Sequence, residues 1–531
     1  MALPSADLGD GTYRNPVLDA DWSDPDPLRV GDDFYLTASS FGRAPGLPLL
    51  HSRDLVNWTL VGHALQRLEP VGEFRRPRPD RGVWAPSLRH HDDRFWIFWG
   101  DPDHGIFQVN APEIRGPWTR PHLVKEGRGL IDACPLWDEE SGEAYLVHAW
   151  ARSRSGIKNR LTGHRMRPDG TGLLDEGKVI VDGDRIPGWF TLEGPKAHRH
   201  DGWFWIFAPA GGVETGWQGA FRSRGFFGPY EERVVLEQGN TRVNGPHQGG
   251  WVRTAAGEDW FVHFQHRGPY GRVVHLQPMR WGADGWPVLG DEGAPVAVHR
   301  KPDLPPQPPC APATDDDFPG GRFGRQWQWT ANPRDGWATQ HFADGLRLTC
   351  VRTADAHDLR RLPHVLTQRM PGAAATVRVD LRLDSEEPGA RAGLVVLGDA
   401  FGWIGLRREP DGSVRLVHRF AERAAPADPA GRPGPGESER DAAPARSAPG
   451  GRARLWIEIG AGARCRFSYD VGGGREPSGQ VFAATGRQWV GALLGLFALA
   501  PAGAGHAGAA TFTRFRVTAT PAATTRVTAT P

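Results

Sequence analysis

A hairpin signature that recurs five times is the feature of this sequence that most restricts its fold. Each copy has a turn with Gly or Asp, then a bulky aromatic residue within an apolar strand, and successive copies lie 49 to 61 residues apart. The five marker aromatics are Tyr35, Trp96, Tyr145, Trp205 and Trp260. A repeat of ~40–60 residues with several short strands is typical of a β-propeller. Five copies therefore predict five blades.

Composition favours the same fold class. Glycine and proline are abundant, with 69 and 47 copies, and short alternating apolar runs lie between them. Amphipathic stretches of more than two helical turns are hard to find, so the chain is predicted to be all-β. Apolar residues make up 39% and charged residues 24%, which is typical of a globular protein. A chain of 531 residues exceeds what one hydrophobic core organises, so two domains are expected.

Proline marks the division between these domains, in the stretch DEGAPVAVHRKPDLPPQPPC. We predict a five-bladed propeller over 10–305, a proline-rich linker over 306–313 and a β-sandwich over 314–519, where alternation continues without the propeller repeat. An insert over 423–452 consists mainly of Ala, Pro, Gly, Arg and Glu, and the tail 520–531 belongs to a VTATP repeat. Both segments are predicted to be disordered because they offer little apolar surface to bury.

Charge, cysteine content and hydropathy exclude several classes of function. The 63 Lys and Arg residues nearly balance the 62 Asp and Glu residues, which argues against a nucleic-acid partner or a polybasic membrane anchor. The four cysteines stand far apart without a CxxC pair, so neither a disulfide framework nor a zinc site is expected. No stretch reaches the ~20 apolar residues of a membrane span, and no secretory signal is visible, so a cytoplasmic location is expected.

One residue in each repeat is a candidate for the functional site. The innermost strand of a propeller blade lines the central channel and precedes the strand that carries the marker aromatic. Stepping back 11 to 13 positions from the five markers reaches Asp24, Trp84, Asp132, Glu193 and His247. These residues are expected to converge on one mouth of the channel. The alternative is that they are ordinary turn residues, but five such residues in register favour a shared site.

Three carboxylates at one channel mouth suit the cleavage of a glycosidic bond. One carboxyl group must be protonated to donate to the leaving oxygen, and another must be ionised to activate water. A third carboxylate beside the acid raises its pKa by repulsion between like charges. An aromatic side chain supplies a surface on which a sugar ring can stack.

At these positions the sequence resembles glycoside hydrolase family 43, which comprises β-xylosidases and α-L-arabinofuranosidases. The motifs that carry the resemblance are NPVLDADWSDPDP, GVWAP, LIDACP, LEGPK and NGPHQGG, in this order along the predicted propeller. The C-terminal part, from DDFPGGRFGRQWQWTANP onward, resembles the concanavalin A-like jelly roll often fused to these enzymes. In such enzymes the sandwich packs beside the propeller and helps to close the pocket.

The resemblance implies a role for each candidate. Asp24, rather than Asp26, corresponds to the general base, Asp132 to the carboxylate that modulates the pKa of the acid, and Glu193 to the general acid. The implied substrate-binding residues are Phe41, Trp84, His247 and Arg272, and Trp217 in GGVETGWQ is a further candidate at the pocket rim. Without the family, Arg272 could equally be a surface ion-pair residue, His247 a hydrogen-bonded core residue and Trp217 part of the core.

The implied activity is that of an exo-acting, inverting hydrolase that releases terminal β-D-xylose or α-L-arabinofuranose from xylan or arabinoxylan fragments. The alternatives are an inactive carbohydrate-binding propeller and a five-bladed glycosidase for another sugar, such as galactose or fructose. Some members hold calcium near the channel histidine, but no acidic cage surrounds His247 in the sequence, so no required cofactor is expected. The expected partner is an oligosaccharide, with neither nucleic acid nor membrane, and a homo-oligomer is left open.

Overall fold

The structure is a computed structural model that describes residues 3–339, 342–423 and 439–520. Five sheets of four antiparallel strands arise from the N-terminal half, and each takes its strands in sequence order. Blade 1 comprises Asp26–Val30, Asp33–Thr37, Gly46–Ser52 and Thr59–Leu65; blade 2 comprises Trp84–His91, Arg94–Asp101, Gly105–Ala111 and His122–Glu126; blade 3 comprises Leu130–Asp138, Glu143–Trp150, Arg160–Met166 and Lys178–Asp182. Blade 4 comprises Lys196–His200, Trp203–Ala210, Trp217–Ser223 and Glu231–Leu236, and blade 5 comprises His247–Arg253, Asp259–His266, Arg272–Trp281 and Pro287–Leu289. The predicted five-bladed propeller is confirmed.

Apolar side chains fill the wedges between neighbouring blades, with one buried cluster in each of the five wedges. Every marker aromatic belongs to the cluster between its own blade and the next one: Tyr35, Trp96, Tyr145, Trp205 and Trp260. Large aromatic rings bury the most apolar surface per residue, so they suit a gap that widens away from the channel. The aromatic position that recurs in the sequence is thus the position whose side chain packs one blade against the next.

The segment that precedes blade 1 closes the ring. Its strand Thr12–Arg14 pairs antiparallel with Val298–Arg300, which follows blade 5. Leu18 then exchanges two backbone hydrogen bonds with Val274, in the third strand of blade 5. The first and last blades are therefore joined by main-chain hydrogen bonds as well as by apolar packing.

The C-terminal part is a sandwich of two sheets, which are antiparallel except for one parallel strand pair. The predicted β-sandwich is thus confirmed. One sheet has the order Gln328–Trp329, Leu366–Arg369, Leu493–Pro501, Arg391–Leu397, Phe401–Arg408, Val414–Ala421 and Arg440–Ser447, with Val351–Thr353 parallel to Leu493–Pro501. The other has the order Ala338–Thr339, Leu346–Thr349, Ala509–Ala519, Ala375–Asp384, Arg452–Ile459, Arg464–Asp470 and Glu476–Ala483. Their inner faces share one large apolar core.

The predicted disordered insert is corrected in its C-terminal part. Arg440–Ser447 forms the edge strand of the first sheet and pairs with Val414–Ala421. Its backbone hydrogen bonds to the neighbouring strand compensate for a composition that buries little apolar surface. The remainder of the prediction, over 424–438, and the predicted disorder of 521–531 lie outside the described residues.

Among the residues that the structure describes, helical structure is confined to single turns. They are the α-helix Arg152–Ser155 and the 3₁₀-helices Glu73–Arg75, Gly183–Arg185, Gly268–Tyr270, Pro319–Gly321, Leu359–Arg361, Pro449–Gly451 and Ala461–Ala463. In the described ranges, no helix has the length and apolar character that crossing a membrane requires.

Hydrogen bonds join the sandwich to the propeller. Ala44, between the second and third strands of blade 1, exchanges two backbone hydrogen bonds with Trp329. The buried side chain of Asn332 accepts a hydrogen bond from the N–H of Leu68 at 2.7 Å and donates one to the carbonyl of Leu68 at 2.9 Å. The side chain of Asn332 thus acts as a backbone substitute across the domain boundary.

Replacing Asn332 by Ala is expected to lower the free energy of unfolding by about 1–3 kcal/mol, because two buried backbone groups of Leu68 lose their partner. Denaturant titration measures this change. Asn240→Ala is the matched control at an exposed position, where the expected change is within about 0.5 kcal/mol. Equal effects of the two substitutions would contradict the interface role of Asn332.

Candidate active site

The inner strands of all five blades share one irregularity at the same end. In each blade two consecutive residues lie opposite a single residue of the second strand, which is a β-bulge. In blades 2, 3 and 5 the bulges lie within the strand pair and comprise residues 85–86, 132–133 and 248–249. In blades 1 and 4 residues 24–25 and 194–195 take the same place just before the first strand, where the hydrogen bonds from Ser39 to Ser23 and from Glu193 to Pro209 continue the pairing. A bulge bends its strand and redirects side chains, and such irregularities are common beside active sites.

The first residue of each bulge has a positive φ, between 38° and 59°: Asp24, Ala85, Asp132, Gly194 and Gln248. Aspartate enters this left-handed region more readily than most other side chains do. Asp24 and Asp132 stand on the bulge itself, whereas Trp84, Glu193 and His247 immediately precede it. These two kinds of position, together with unequal hairpin lengths, account for the 11- to 13-residue spacing in the sequence.

Asp24 is held by three side-chain donors and is only 3% exposed. Arg272 Nη1 donates to its Oδ1 at 2.7 Å, while the hydroxyls of Ser39 and Ser23 donate to its Oδ2 at 2.6 and 3.0 Å. Arg272 is the first residue of the third strand in blade 5, and its guanidinium group lies 4.6 Å from the ring centre of Phe264. Arg272 is therefore a buried partner of Asp24 and not a surface ion-pair residue.

Asp132 and Glu193 are linked through the backbone. Asp132 Oδ2 accepts a hydrogen bond at 2.8 Å from the N–H of Gly194, the residue that follows Glu193. Burial raises the pKa of Glu193 to about 8, with a further rise from the negative charges of Asp132 and Asp24 and an opposing effect from Arg272. Burial likewise raises the pKa of Asp132. The surroundings of Glu193 thus favour the protonated form of its carboxyl group.

His247 lies beside Glu193 as a neutral ring. Its Nε2 is 3.6 Å from Glu193 Oε1, and burial, assisted by the charge of Arg272, lowers the pKa of His247 to about 3. Within the described ranges, no three or more His, Cys, Asp or Glu side chains are grouped so that they could hold a metal ion. His247 would contribute a single neutral nitrogen to any cation in the channel.

Glu193 opens onto a cavity of about 410 Å³ that both domains line. Trp84, Trp150 and Glu193 come from the propeller, and Trp489 comes from the sandwich. Trp489 lies on the turn between Arg487 and Val490, with its ring edge-on to Trp84 at 6.5 Å. The same ring is 5.5 Å from the guanidinium carbon of Arg272. The second domain therefore supplies one wall of the site.

Of the five predicted binding residues, Trp84 lines this cavity, whereas Phe41, Trp217, His247 and Arg272 do not. Phe41 is buried and packs edge-on behind Trp84 at 6.3 Å, so it supports that ring. Trp217 begins the third strand of blade 4, is half-buried and packs edge-on against Trp189 and Phe190, each at 5.9 Å, and its place at the pocket rim stays a prediction. Trp189 and Phe190 belong to the segment that connects blade 3 to blade 4.

Sequence reasoning missed Trp150 and Trp489. Trp150 pairs with Leu130, two residues before Asp132 on the neighbouring strand. The strand register that predicted the position of Asp132 could therefore also have predicted that of Trp150. Trp489 lies in GRQWVG, where the flanking glycines indicate a turn but nothing indicates that the turn reaches the other domain.

Comparisons with known proteins agree with this geometry. Residues 13–287 match the family described as "Glycosyl hydrolases family 43", and residues 315–518 match the "Beta xylosidase C-terminal Concanavalin A-like domain". A putative beta-xylosidase of Xylanibacter ruminicola is 37% identical over 411 residues, which cover 76% of this chain and 74% of that protein.

Two further relatives extend the comparison. A non-reducing end alpha-L-arabinofuranosidase of Bacteroides ovatus is 30% identical over 420 residues, covering 75% of this chain and 76% of that protein. The crystal structure of a family 43 protein from Bacillus licheniformis superposes with a TM-score of 0.81 at 25% identity, covering 96% of this chain and all of that one.

Replacing Asp132 by Asn retains the shape of the side chain and removes its charge. The pKa of Glu193 is then expected to fall, so the basic limb of kcat/KM against pH should move to lower pH, because activity is lost as the acid deprotonates. The basic limb of the pH profile reflects the titration of Glu193 together with the carboxyl groups coupled to it, so the quantity to compare is the direction in which the limb moves.

Asp201→Asn is the matched control, since Asp201 also has a positive φ but is an exposed turn residue. Its profile should coincide with that of the unchanged protein. An unshifted basic limb for Asp132→Asn would remove Asp132 from the site.

Proposed function

The chain belongs to glycosyl hydrolases family 43, and from that premise we propose that it releases terminal β-D-xylose or α-L-arabinofuranose from oligosaccharides with inversion of configuration. The observation that carries the proposal is the contrast between two carboxyl groups at one channel mouth. Glu193 has a raised pKa, whereas Asp24 is ion-paired with Arg272 at 2.7 Å. The names of the relatives, a β-xylosidase and an arabinofuranosidase, support a pentose as the released sugar.

Glu193 acts as the general acid in this proposal. Its carboxyl proton passes to the glycosidic oxygen as the bond between that oxygen and the anomeric carbon breaks. Asp132 and burial together keep the proton on Glu193 until the transition state. The hydrogen bond from the N–H of Gly194 to Asp132 fixes the separation of the two carboxyl groups.

Asp24 acts as the general base. A carboxylate offers about four lone-pair directions, and Arg272, Ser39 and Ser23 occupy three of them. The remaining direction is available for a water molecule, whose oxygen attacks the anomeric carbon while its proton passes to Asp24. Inversion in one step requires this water to fit between the two carboxyl groups, which corresponds to ~6.5–9.5 Å between them.

The walls of the cavity favour a terminal sugar as the bound unit. Trp84 and Trp150 offer flat apolar surfaces for a sugar ring, and Trp489 covers the mouth from the other domain. A wall from the second domain restricts the space beyond the released sugar, which supports exo action. An inactive binding propeller would have no need for the paired acid and base.

A panel of p-nitrophenyl β-D-xyloside, α-L-arabinofuranoside and β-D-galactoside tests the proposal, with the anomer of the first product determined by NMR. Hydrolysis of either pentoside with inversion is the expected result. Retention of configuration, or a preference for the galactoside, would contradict it.

Glu193→Gln removes the proton donor and is expected to lower kcat by ~10²-fold or more on xylobiose, which has a poor leaving group. The loss should be much smaller on the aryl xyloside, because a phenolate leaves without protonation. Steady-state rates on the two substrates measure the difference.

Asp24→Asn is the complementary variant. It should abolish activity on both substrates, since water must be activated whatever the leaving group, and azide should yield no product of retained configuration. Equal losses on both substrates for Glu193→Gln would show that Glu193 is not the acid.

A further inference from the structure

Three cationic side chains line the cavity on the side of blade 3. Arg152 and Arg154 belong to the single helical turn Arg152–Ser155, which follows the second strand of the blade, and Lys158 lies in the next loop. All three belong to the same cavity wall as Glu193. The catalytic carboxyl group therefore opens into a space with a basic border.

Only one of these cations has an ionic partner. Arg154 Nε is 3.2 Å from Asp103 Oδ1, and Arg81 binds the other oxygen of that carboxylate at 3.0 Å. Arg152 and Lys158 are exposed, and neither has a carboxylate within 4.0 Å in the described part of the chain. Two positive charges at the mouth are thus available to a ligand.

The acidic side chains of the cavity do not neutralise them. Glu193 holds its proton near neutral pH because its pKa is raised. Asp80 is the other acidic residue of the lining, and it too has no cation within 4.0 Å among the described residues. Among the lining residues without an ionic partner in the described ranges, the two cations Arg152 and Lys158 thus face one fixed opposing charge, that of Asp80.

We propose that the leaving-group side of the site binds the carboxylate of a uronic acid carried by the oligosaccharide, through Arg152 and Lys158. This inference rests on the proposed glycosidase function and narrows its substrate class to acidic oligosaccharides. Guanidinium and ammonium groups pair with a carboxylate, while the tryptophans take the neutral sugar to be released. At exposed positions such charges act mainly on association and on substrate choice.

The test compares two substrates that differ in one group. The first is a xylo-oligosaccharide that bears a glucuronic acid on the xylose next to the terminal one. The second is the same compound after reduction of its carboxyl group to the alcohol. At low salt the ratio of kcat/KM, acidic to reduced, is expected to be roughly 3 to 10, and it should approach 1 at ~0.5 M NaCl because salt screens exposed charges.

Variants assign the effect to the residues. The double substitution Arg152→Gln with Lys158→Gln should bring the ratio to about 1, and Asp80→Asn should increase it, because the opposing charge is removed. Lys178→Gln, at an exposed position on the outer strand of the same blade, should leave the ratio unchanged. Because each ratio compares two substrates of one enzyme preparation, a loss of folded protein does not alter it.

A second pair, a xylosyl-galacturonic acid and its reduced form, distinguishes the source of the uronate. A preference in either pair that the double variant removes supports the inference and identifies the source. Equal rates within both pairs, or a preference that survives in the double variant, would overturn it while leaving the proposed function intact. Hydrolysis of a p-nitrophenyl pentoside but of none of these four compounds would also overturn the inference, whereas failure on the pentosides as well would overturn the proposed function itself.

Discussion

A buried carboxylate at the centre of the propeller holds the catalytic strands in place. Asp26 is almost fully buried, with Arg89 Nη1 at 2.8 Å and Lys196 Nζ at 3.7 Å. Lys196, which is also fully buried, donates to a carbonyl and a hydroxyl of blade 2. Asp26 lies two residues after Asp24, and Lys196 lies three residues after Glu193. The ionic network therefore ties the blades of the base and the acid to one another through blade 2, and removal of one partner would leave an unpaired buried charge.

Two carboxyl groups of the site, those of Asp24 and Glu193, differ in that only Asp24 is paired with a cation. This difference suits one of them to act as a base and the other as an acid. Asp24 is ion-paired with Arg272 at 2.7 Å, whereas no Lys or Arg in the described part of the chain lies within 4.0 Å of the Glu193 carboxyl group. A buried carboxyl group without a paired cation favours the protonated form. The nearby carboxylate of Asp132 strengthens that preference. The fold thus produces an acid and a base by the placement of one arginine.

The sequence repeat was sufficient to predict the propeller and the residues that its register places at one mouth. Asp24, Asp132 and Glu193 could be found because the same bulge occurs in every blade, at a nearly constant distance from an aromatic residue. Trp489 could not be found, because its position depends on how the sandwich docks, and docking leaves no periodic signal. The strand Arg440–Ser447 was missed for a related reason: its order comes from backbone pairing at a sheet edge, which composition does not reveal. For Trp217 the sequence left both a pocket position and a packing position open, because aromatic residues serve both packing and sugar binding.

The sandwich is attached to the base side of the site. Arg369 Nε donates to the carbonyl of Asp21 at 2.6 Å, and Gly491 donates its N–H to the carboxylate of the same residue at 3.1 Å. Asp21 lies three residues before the base Asp24 in the sequence. Its other carboxylate oxygen accepts a hydrogen bond from the backbone N–H of Arg272 at 3.0 Å. Because Gly491 follows the turn that carries Trp489, one carboxylate positions both the arginine of the base and the aromatic wall above it. The blade 3 side of the cavity is bordered by exposed cations, so we infer that the leaving part of the substrate extends there, away from the domain boundary.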